Sequence, residues 1–260
     1  MYRQTILEEN KAYWTGRACG YSEVNRLELA TDQRRKWRDC LRAEIAEHFP
    51  GTAPECLRVL EVGTGPGFFA VLLSELGCAV TAVDLTPAML TEAKKNAGLL
   101  ADRISFLEMN AEALDFPDGS FDVVVSRNLT WNLPHPERAC AEWARVLRPG
   151  GLLLNFDANW YAYLFDGEAQ AAYERDRTNS AAQGVPDQNV GERFDVMEDI
   201  ARRVPLSAIR RPAWDLKLLR GLGLSAEADE DVWQRVWSKT EMLNFASTPL
   251  FLVRAAKRAV

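Results

Sequence analysis

The hydrophobic positions of the chain follow two different periods. In the first fifty residues, apolar side chains recur at helical intervals, as at Trp37 and Leu41, until Pro50 and Gly51 end the pattern. This spacing places apolar residues on one helical face, so it predicts about two helices in the segment. From Leu57 onward, short uninterrupted apolar runs take over, which is typical of strands buried on both faces.

Five apolar runs alternate with helical segments through the middle of the chain. The runs lie at residues 57–62, 79–84, 104–110, 121–126 and 151–157. The helix after the second run has Thr86 as its predicted N-cap, Pro87 in its first turn and Gly98 just past its end, which are typical residues for these positions. Alternating strands and helices predict right-handed crossovers and a parallel sheet covered on both faces.

The alternation stops after residue 157. Residues 158–211 are aromatic at first and polar afterwards, with no clear strand, and the stretch PAWDLKLLRGLG that follows predicts a helix. Two further strands are predicted at 231–237 and 248–257. These segments together predict a Rossmann-like, doubly wound α/β fold with a seven-stranded, mostly parallel sheet.

The same pattern divides the chain into four parts. We predict an N-terminal helical segment at 1–50, a ligand-binding core at 51–157, an inserted lid at 158–211 and the C-terminal part of the core at 212–260. A chain of 260 residues, 47% of them hydrophobic, is able to bury one continuous core. We therefore expect one domain with an insertion, two compact domains being the alternative. The insertion follows the fifth strand, which places it above the carboxyl edge of the sheet, where a lid could exclude water.

The charge balance argues against a nucleic-acid partner. The net charge is -6 and the isoelectric point is about 5.2, whereas a nucleic-acid-binding domain normally presents a basic face. The clustered arginines Arg202, Arg203, Arg210 and Arg211 are predicted to lie on solvated helix faces.

The cysteines and the apolar segments point to a cytoplasmic protein. Five cysteines, an odd number, form neither a CxxC pair nor a Cys/His cluster, so we expect reduced thiols and no metal site. No segment reaches the ~18 consecutive apolar residues that a membrane span requires, and the first residues do not resemble a secretion signal. We expect no membrane partner, and the sequence carries no signal for an oligomeric state.

A glycine-rich turn separates the first predicted strand from the helix after it. Gly63, Gly65 and Gly67 alternate with other residues at the carboxyl edge of the sheet, where open α/β sheets bind their ligands. Their missing Cβ atoms would let a ligand touch the main chain, and the helix that follows offers free N–H donors. A dinucleotide-binding turn requires a third glycine at position 68, which is Phe68 in this chain.

Two carboxylates beside the turn indicate the chemistry of the ligand. Glu61 comes two residues before Gly63, where it would repel a pyrophosphate but attract an ammonium group. Asp84 ends the second strand, 17 residues beyond Gly67, and is placed to accept hydrogen bonds from two ribose hydroxyls. The ligand is therefore expected to be cationic near Glu61 and to carry a ribose near Asp84.

The turn after the third strand adds a group that could recognise a base. Asn110, Ala111 and Glu112 follow that strand, and the Asn110 carboxamide could bind an adenine edge. Leu85 and Met89 could enclose the ring between them. Adenine, ribose and an amino-acid end together describe S-adenosylmethionine.

Four separated motifs resemble one enzyme family. The stretches LEVGTGPG, AVDLTPAML, NAEALDFPDGSFDVVVSR and EWARVLRPGG are similar, in order and spacing, to motifs of class I S-adenosylmethionine-dependent methyltransferases of the UbiE-like small-molecule group. The resemblance covers residues 57–157. It implies that S-adenosylmethionine is the cofactor and that these positions bind it: Glu61, Gly63, Thr64, Gly65, Gly67, Asp84, Asn110, Ala111 and Glu112.

Two further cofactor contacts are predicted outside these motifs. The stretch YWTGRACGY resembles the N-terminal segment of the family, whose aromatic residue folds over the cofactor, and Tyr21 is our candidate, with Trp14 behind it. Packing of both rings against the sheet is an equal alternative. Arg127 follows the fourth strand directly and is expected to face the cofactor.

The acceptor side is predicted from residues after the fourth and fifth strands. Asn128, Trp131, Trp160 and Tyr161 are the candidates, and each could instead fix its own loop. No catalytic residue is assigned, because His135, between two prolines, is predicted to be an exposed turn residue.

We therefore predict a methyltransferase (EC 2.1.1 class) that moves a methyl group to a small molecule by in-line displacement. Alternatives are an RNA or protein methyltransferase, a protein that binds S-adenosylmethionine for sensing or for another reaction and, least favoured, a nicotinamide dehydrogenase.

Overall fold

The computed structural model describes residues 5–187 and 193–259 of the chain. The strands are β1 (Arg58–Val62), β2 (Ala79–Asp84), β3 (Ile104–Glu108), β4 (Phe121–Arg127), β5 (Leu147–Asp157), β6 (Leu224–Asp229) and β7 (Phe251–Lys257). The helices are α1 (Ile6–Ala30), α2 (Asp32–His48), α3 (Phe68–Glu75), α4 (Pro87–Ala97), α5 (Pro136–Val146), α6 (Gly167–Ala182), α7 (Phe194–Ala201), α8 (Ala213–Gly221), α9 (Trp233–Val236) and α10 (Lys239–Asn244).

The seven strands form one sheet in the order β3-β2-β1-β4-β5-β7-β6. Neighbours from β3 to β5 pair in parallel, and only β7 runs antiparallel to its neighbours β5 and β6. The predicted Rossmann-like α/β fold with a mostly parallel sheet is therefore confirmed. The chain order reverses between β1 and β4, and a crevice opens at the carboxyl ends of strands at such a point.

Helices cover both faces of this sheet. On one face, Trp37 of α2 is fully buried and its ring lies 5.1 Å from that of Phe69 in α3 and 5.3 Å from that of Phe156 in β5. On the other face, α5 buries Trp143 against the central strands. The first helical pair ends where Pro50 and Gly51 predicted, because α2 stops at His48.

The strand predicted at 231–237 is wrong. The sixth strand is β6, at Leu224–Asp229, and residues 233–236 instead form the short helix α9. One face of this helical segment packs into the core beside α2, and it carries Val232, Trp233, Val236 and Trp237. A short apolar run is compatible with the period of a strand and with that of a helix, and here packing against α2 favours the helix.

The insertion after β5 contains helices α6 and α7 and no strand within its described residues. Met197 and Ile200 of α7 pack with Tyr13 of α1 and with Trp131, which follows β4. The insertion therefore lies on the carboxyl side of the sheet and contacts the N-terminal helix. None of the helices in the described part of the chain has the length and apolar content needed to cross a membrane.

Candidate functional site

The turn between β1 and α3 depends on its glycines for different reasons. All three have positive φ, at 71° for Gly63, 51° for Gly65 and 88° for Gly67, a region that other residues rarely adopt. A Cβ on Gly63 would lie 2.6 Å from Cδ2 of Leu129, and one on Gly67 would lie 2.9 Å from Cβ of Ala93. These two glycines are fixed by the packing of the protein itself.

Gly65 is the glycine that leaves space for a ligand. The nearest atom to a Cβ built there is Cε1 of Tyr21, at 3.6 Å, which is an ordinary contact distance. Gly63 and Gly65 both line the cavity above the turn, whereas Gly67 is absent from its described lining. Gly63 and Gly65 therefore border the cavity, and of these two only Gly65 has space beside it for a side chain or a ligand.

Glu61 lies buried at the floor of this cavity. Its side chain accepts a hydrogen bond from the Thr64 hydroxyl at 2.6 Å, and only 3% of the residue is exposed. Burial raises the pKa of the Glu61 carboxyl to about 8, although the hydrogen bonds from Thr64 and from the Ala70 backbone oppose that shift. Glu61 forms no ion pair with a described residue, although the Arg127 charge also lowers its pKa, and a buried carboxyl of this kind favours a ligand that brings a positive charge.

Asp84 joins the glycine turn to the start of α4. One carboxylate oxygen accepts the Gly65 N–H at 2.9 Å and the other accepts the Thr86 N–H at 2.8 Å. An ionised carboxylate has about four lone-pair positions, so both oxygens keep capacity for further donors. Burial raises the pKa of Asp84, which two backbone N–H groups counteract. Asp84 thus holds the turn and faces the cavity.

The cavity, together with the open solvent space at its mouth, has a volume of about 980 Å³. It brings together most of the residues predicted to bind the cofactor. Those in its wall are Tyr21, Glu61, Gly63, Thr64, Gly65, Asp84, Leu85, Met89, Asn110, Ala111 and Arg127.

Glu112 points elsewhere. Its carboxylate accepts the N–H of His135 at 2.8 Å, and it does not belong to the described wall of the cavity. The Asn110 side-chain oxygen accepts the Glu112 N–H at 3.0 Å, which closes the turn after β3 and leaves the Asn110 amide N–H groups for a ligand. Glu112 therefore supports the loop that carries His135, and His135 itself is exposed as predicted.

One face of α1 closes the cavity from above. Asn10, Trp14, Tyr21 and Asn25 all line it, at spacings that place them on one side of a helix. Of these four residues, only the two aromatic ones were predicted from the sequence. The two asparagines share their helical spacing, and that signal could have been used to find them.

Arg127 fastens α1 to the end of β4. Its guanidinium forms an ion pair with Glu28 of α1 and lies 4.6 Å from the centre of the Trp37 ring and 4.9 Å from that of Phe68. Glu28 also accepts a hydrogen bond from the Asn25 amide at 2.9 Å. Because Glu28 neutralises the arginine, Arg127 adds little net positive charge to the wall.

A second cavity, the aromatic chamber, adjoins the first. It has a volume of about 620 Å³ and shares Trp14, Tyr21 and Asn128 with the first cavity. The four residues predicted from the sequence to contact the acceptor, Asn128, Trp131, Trp160 and Tyr161, all line this chamber. Its described wall consists of Trp14, Tyr21, Asn128, Trp131, Trp160, Tyr161, Tyr163, Phe194 and Phe245. Phe194 and Phe245 were missed because they come from distant segments with no motif.

Asn128 lies where the two cavities meet. Its φ of 55° is unusual for a residue other than glycine. Its N–H donates to the Phe156 carbonyl at 2.8 Å, and its carbonyl accepts the Trp131 indole N–H at 3.0 Å. The side-chain oxygen is buried and has no hydrogen-bond partner in the described structure. The backbone of Asn128 is thus fixed, its side chain also forms a hydrogen bond with Tyr21, and its oxygen remains a buried acceptor without a described partner.

Polar residues at the end of β5 hold neighbouring segments of the chain together. Asp157 binds Arg211 at 2.6 Å, and the Asn159 side chain makes hydrogen bonds of 3.0 Å with both the N–H and the carbonyl of Arg211. The Asn155 carboxamide oxygen accepts the Thr130 hydroxyl at 3.0 Å. The prediction that Arg211 is solvated is wrong, because only 3% of it is exposed.

Among residues 5–187 and 193–259, no group of three or more His, Cys, Asp and Glu side chains is arranged to hold a metal ion, and the five cysteines are free thiols.

Comparison with known proteins identifies the central part of the chain. Residues 60–155 match the methyltransferase domain family. The ubiquinone/menaquinone biosynthesis C-methyltransferase UbiE of Methylobacterium nodulans is 44% identical over 138 residues, which are 52% of this chain and 53% of that protein. The demethylmenaquinone methyltransferase of Thermus thermophilus is 40% identical over 99 residues, covering 37% of this chain and 45% of the relative. The chain thus spans about half the length of these curated relatives.

A solved structure shares the fold over most of the chain. The protein bound to the Trm112 methyltransferase activator of Haloferax volcanii has a TM-score of 0.59 and 18% identity, with coverage of 94% of this chain and 97% of that one. At this identity, the likeness shows the fold alone.

Proposed function

The chain belongs to the class I S-adenosylmethionine-dependent methyltransferases of the UbiE-like type, and from this premise we propose that it transfers a methyl group to a small-molecule acceptor. The observation that carries the proposal is the junction of two cavities at Trp14, Tyr21 and Asn128. One cavity has the polar groups that a charged nucleoside requires, and the other is apolar.

We infer that the first cavity holds S-adenosylmethionine along its whole length. Glu61 would hold the ammonium of the methionine portion, Gly65 would leave its main chain open to the ligand, and the spare acceptor positions of Asp84 would bind the ribose. Met89, Leu85 and the Asn110 amide would enclose the adenine. The cofactor supplies an activated methyl group on a positively charged sulfur.

The protein's own contribution is alignment and the exclusion of water. The N-terminal helix α1 covers the cofactor cavity, and the Arg127–Glu28 ion pair holds that helix to β4. The insertion at 158–211 would act as the lid that shapes the acceptor side, since Trp160, Tyr161 and Tyr163 lie in the chamber wall. We assign no general base. The proposed setting is a cytoplasmic enzyme with no nucleic-acid partner, in keeping with the net charge of -6.

Binding and transfer are tested separately. Isothermal titration calorimetry should show S-adenosylhomocysteine binding to the purified chain, with NAD as the control that does not bind. Incubation with methyl-labelled S-adenosylmethionine and a panel of small molecules should then release S-adenosylhomocysteine and a labelled product. Uptake of NAD in place of the sulfur nucleoside would overturn the cofactor assignment. Binding without transfer to any acceptor in the panel would instead favour a sensing role.

A further inference from the structure

The aromatic chamber is chemically uniform. Eight of the nine residues in its described wall are aromatic, and the ninth, Asn128, is uncharged. The rings are close to one another, since that of Tyr161 lies 4.9 Å from Trp131, 5.9 Å from Tyr163 and 6.5 Å from Phe194. Aromatic faces carry partial negative charge and attract cations, most strongly when water is excluded.

Several charged groups lie close to the chamber without belonging to its described wall, among them Arg127 and its ion-pair partner Glu28, which both act on Tyr21. The Tyr163 hydroxyl donates to the Glu198 carboxylate at 2.8 Å, and that carboxylate lies outside the lining. Arg17, Glu198, Tyr13 and Tyr173 are the titratable groups that act on Tyr161. A positive charge inside the chamber would therefore rest on ring faces instead of a paired carboxylate.

The wall also offers no group that would remove a proton from an acceptor near neutral pH. Burial raises the pKa of both Tyr161 and Tyr163 well above the usual tyrosine range. Histidine and carboxylate side chains are absent from the described lining. An acceptor that must lose a proton before it reacts, such as a neutral alcohol, has no partner for that step.

Two buried polar atoms at the chamber are vacant. The Asn128 side-chain oxygen has no donor, and the Trp160 indole N–H has no acceptor. An amine N–H would satisfy the first, and an oxygen elsewhere on the same molecule would satisfy the second. The residue Asn128 lines both cavities, and a nitrogen that reacts with the cofactor would have to lie at that junction.

We infer that the acceptor is an uncharged amine on an apolar, ring-bearing body, and that the aromatic chamber holds the cationic product of its methylation. This inference rests on the proposed function and specifies its acceptor.

The reaction balances without a base. The nitrogen lone pair forms a bond to the methyl carbon, the carbon–sulfur bond breaks, and its electron pair stays on sulfur as a neutral thioether. The positive charge passes from sulfur to nitrogen, so the total charge is unchanged. An N–H proton leaves to water only after the ammonium product is released. The rings of the chamber face this charge as it moves across the junction.

The inference is tested with two ligands that have nearly the same shape, one of them a cation and the other neutral. Protein saturated with S-adenosylhomocysteine is titrated with N,N,N-trimethylanilinium and with tert-butylbenzene, and binding is followed by tryptophan fluorescence and calorimetry. The cation should bind about tenfold more tightly or better, because the two molecules differ only in charge. Equal binding, or tighter binding of the hydrocarbon, would overturn the inference.

Single-residue variants show which wall residues cause the preference for the cation. Tyr161→Leu should lose most of the preference for the cation, whereas Tyr161→Phe should keep it because the ring remains. Phe165→Leu removes a half-exposed ring of the same loop that is not part of the wall, so it should change nothing. Asn128→Gly suits the positive φ and removes the vacant oxygen. This substitution should weaken the binding of aniline, which has N–H groups, and leave the binding of trimethylanilinium unchanged. The same loss for both ligands would contradict the role given to Asn128.

Rates provide an independent check on the acceptor class. At saturating S-adenosylmethionine, where cofactor affinity no longer affects the rate, methylation of an aniline, which is uncharged near neutral pH, should be independent of pH there. Methylation of an alkylamine should rise with pH according to the pKa of that amine. Transfer to phenols in preference to amines would overturn the inference while leaving the proposed function intact. Failure of S-adenosylhomocysteine to bind at all would instead remove the proposed function itself.

Discussion

Arg211 and Asp157 form an ion pair of 2.6 Å in which neither side chain is exposed to solvent. Arg211 also binds Asp215 at 2.6 Å, and Asp157 also accepts the N–H of Trp131 at 3.0 Å and that of Ala158 at 2.9 Å. The pair therefore ties the end of the insertion to the end of β5 and to the loop that carries a wall residue of the aromatic chamber.

Loss of Arg211 should be strongly destabilising. Arg211→Met leaves two buried carboxylates without their cation, and breaking a buried pair in this way typically costs about 3–5 kcal/mol. Urea denaturation should show that decrease in the free energy of unfolding. Arg210→Met is the matched control, because its neighbour Arg210 is exposed, and it should change stability by less than about 0.5 kcal/mol. Similar values for both variants would contradict the assignment.

The affinity for S-adenosylhomocysteine should depend on the ionisation of Glu61. With a pKa of about 8, this carboxyl is mostly protonated at pH 6, and a bound ammonium favours its ionised form. Affinity should therefore rise between pH 6 and 8, by up to about tenfold per pH unit, and level off above. Glu61→Gln should bind more weakly at pH 8 and lose most of this slope, as measured by calorimetry. Glu137→Gln, at an exposed position of α5, should keep the wild-type profile.

Glu61 should also affect the stability of the protein without ligand. Its pKa in the folded protein, about 8, is above the ordinary value of 4.5, so the folded state holds the proton more tightly than the unfolded chain. The resulting stability is fully present below pH 4.5 and is lost as the pH rises through 8. Urea denaturation should therefore show that wild type weakens relative to Glu61→Gln between pH 5 and pH 8.5. A constant difference would show that Glu61 is already ionised in the folded protein.

Asp84→Asn should weaken S-adenosylhomocysteine binding by about 1–3 kcal/mol, because the carboxylate that we propose accepts the ribose hydroxyls is replaced by an amide. Asp84 also holds the N–H groups of Gly65 and Thr86, so a general disturbance of the turn must be separated from this effect. Calorimetry with the 2′,3′-dideoxy analogue of the ligand makes that separation. The analogue should lose much less affinity than the parent molecule. Equal losses would mean that Asp84 acts only on the turn.

Gly63→Ala should destabilise the protein more than Gly65→Ala. Both place a side chain at positive φ, which costs about 1–2 kcal/mol, but only Gly63→Ala also collides with Leu129. Thermal or urea unfolding should show the difference, and the double variant Gly63→Ala/Leu129→Ala should be more stable than the sum of its parts predicts. Gly65→Ala should mainly reduce cofactor affinity. Additive losses in the double variant would exclude the collision.

The sequence was sufficient to predict those parts of the fold that depend on apolar runs and turn residues close together in the chain. Strands β1 to β5 follow from apolar runs with turn residues between them, and the ends of α2 and α4 follow from Pro50 and Gly98. Glu61 and Asp84 could be placed at one edge because successive parallel strands end on the same side of a sheet. Residues 233–236 show the limit of this reasoning, since their spacing suits a strand as well as a helix.

The sequence by itself thus determined the alternating core, the glycine turn and the carboxylates beside it, because each depends on residues close together in the chain. Only the tertiary structure decided that Arg211 is buried, that Glu112 turns away from the cavity, and that Phe194 and Phe245 complete the aromatic chamber. These features arise where distant segments meet, and packing between such segments leaves no periodic trace in any one of them.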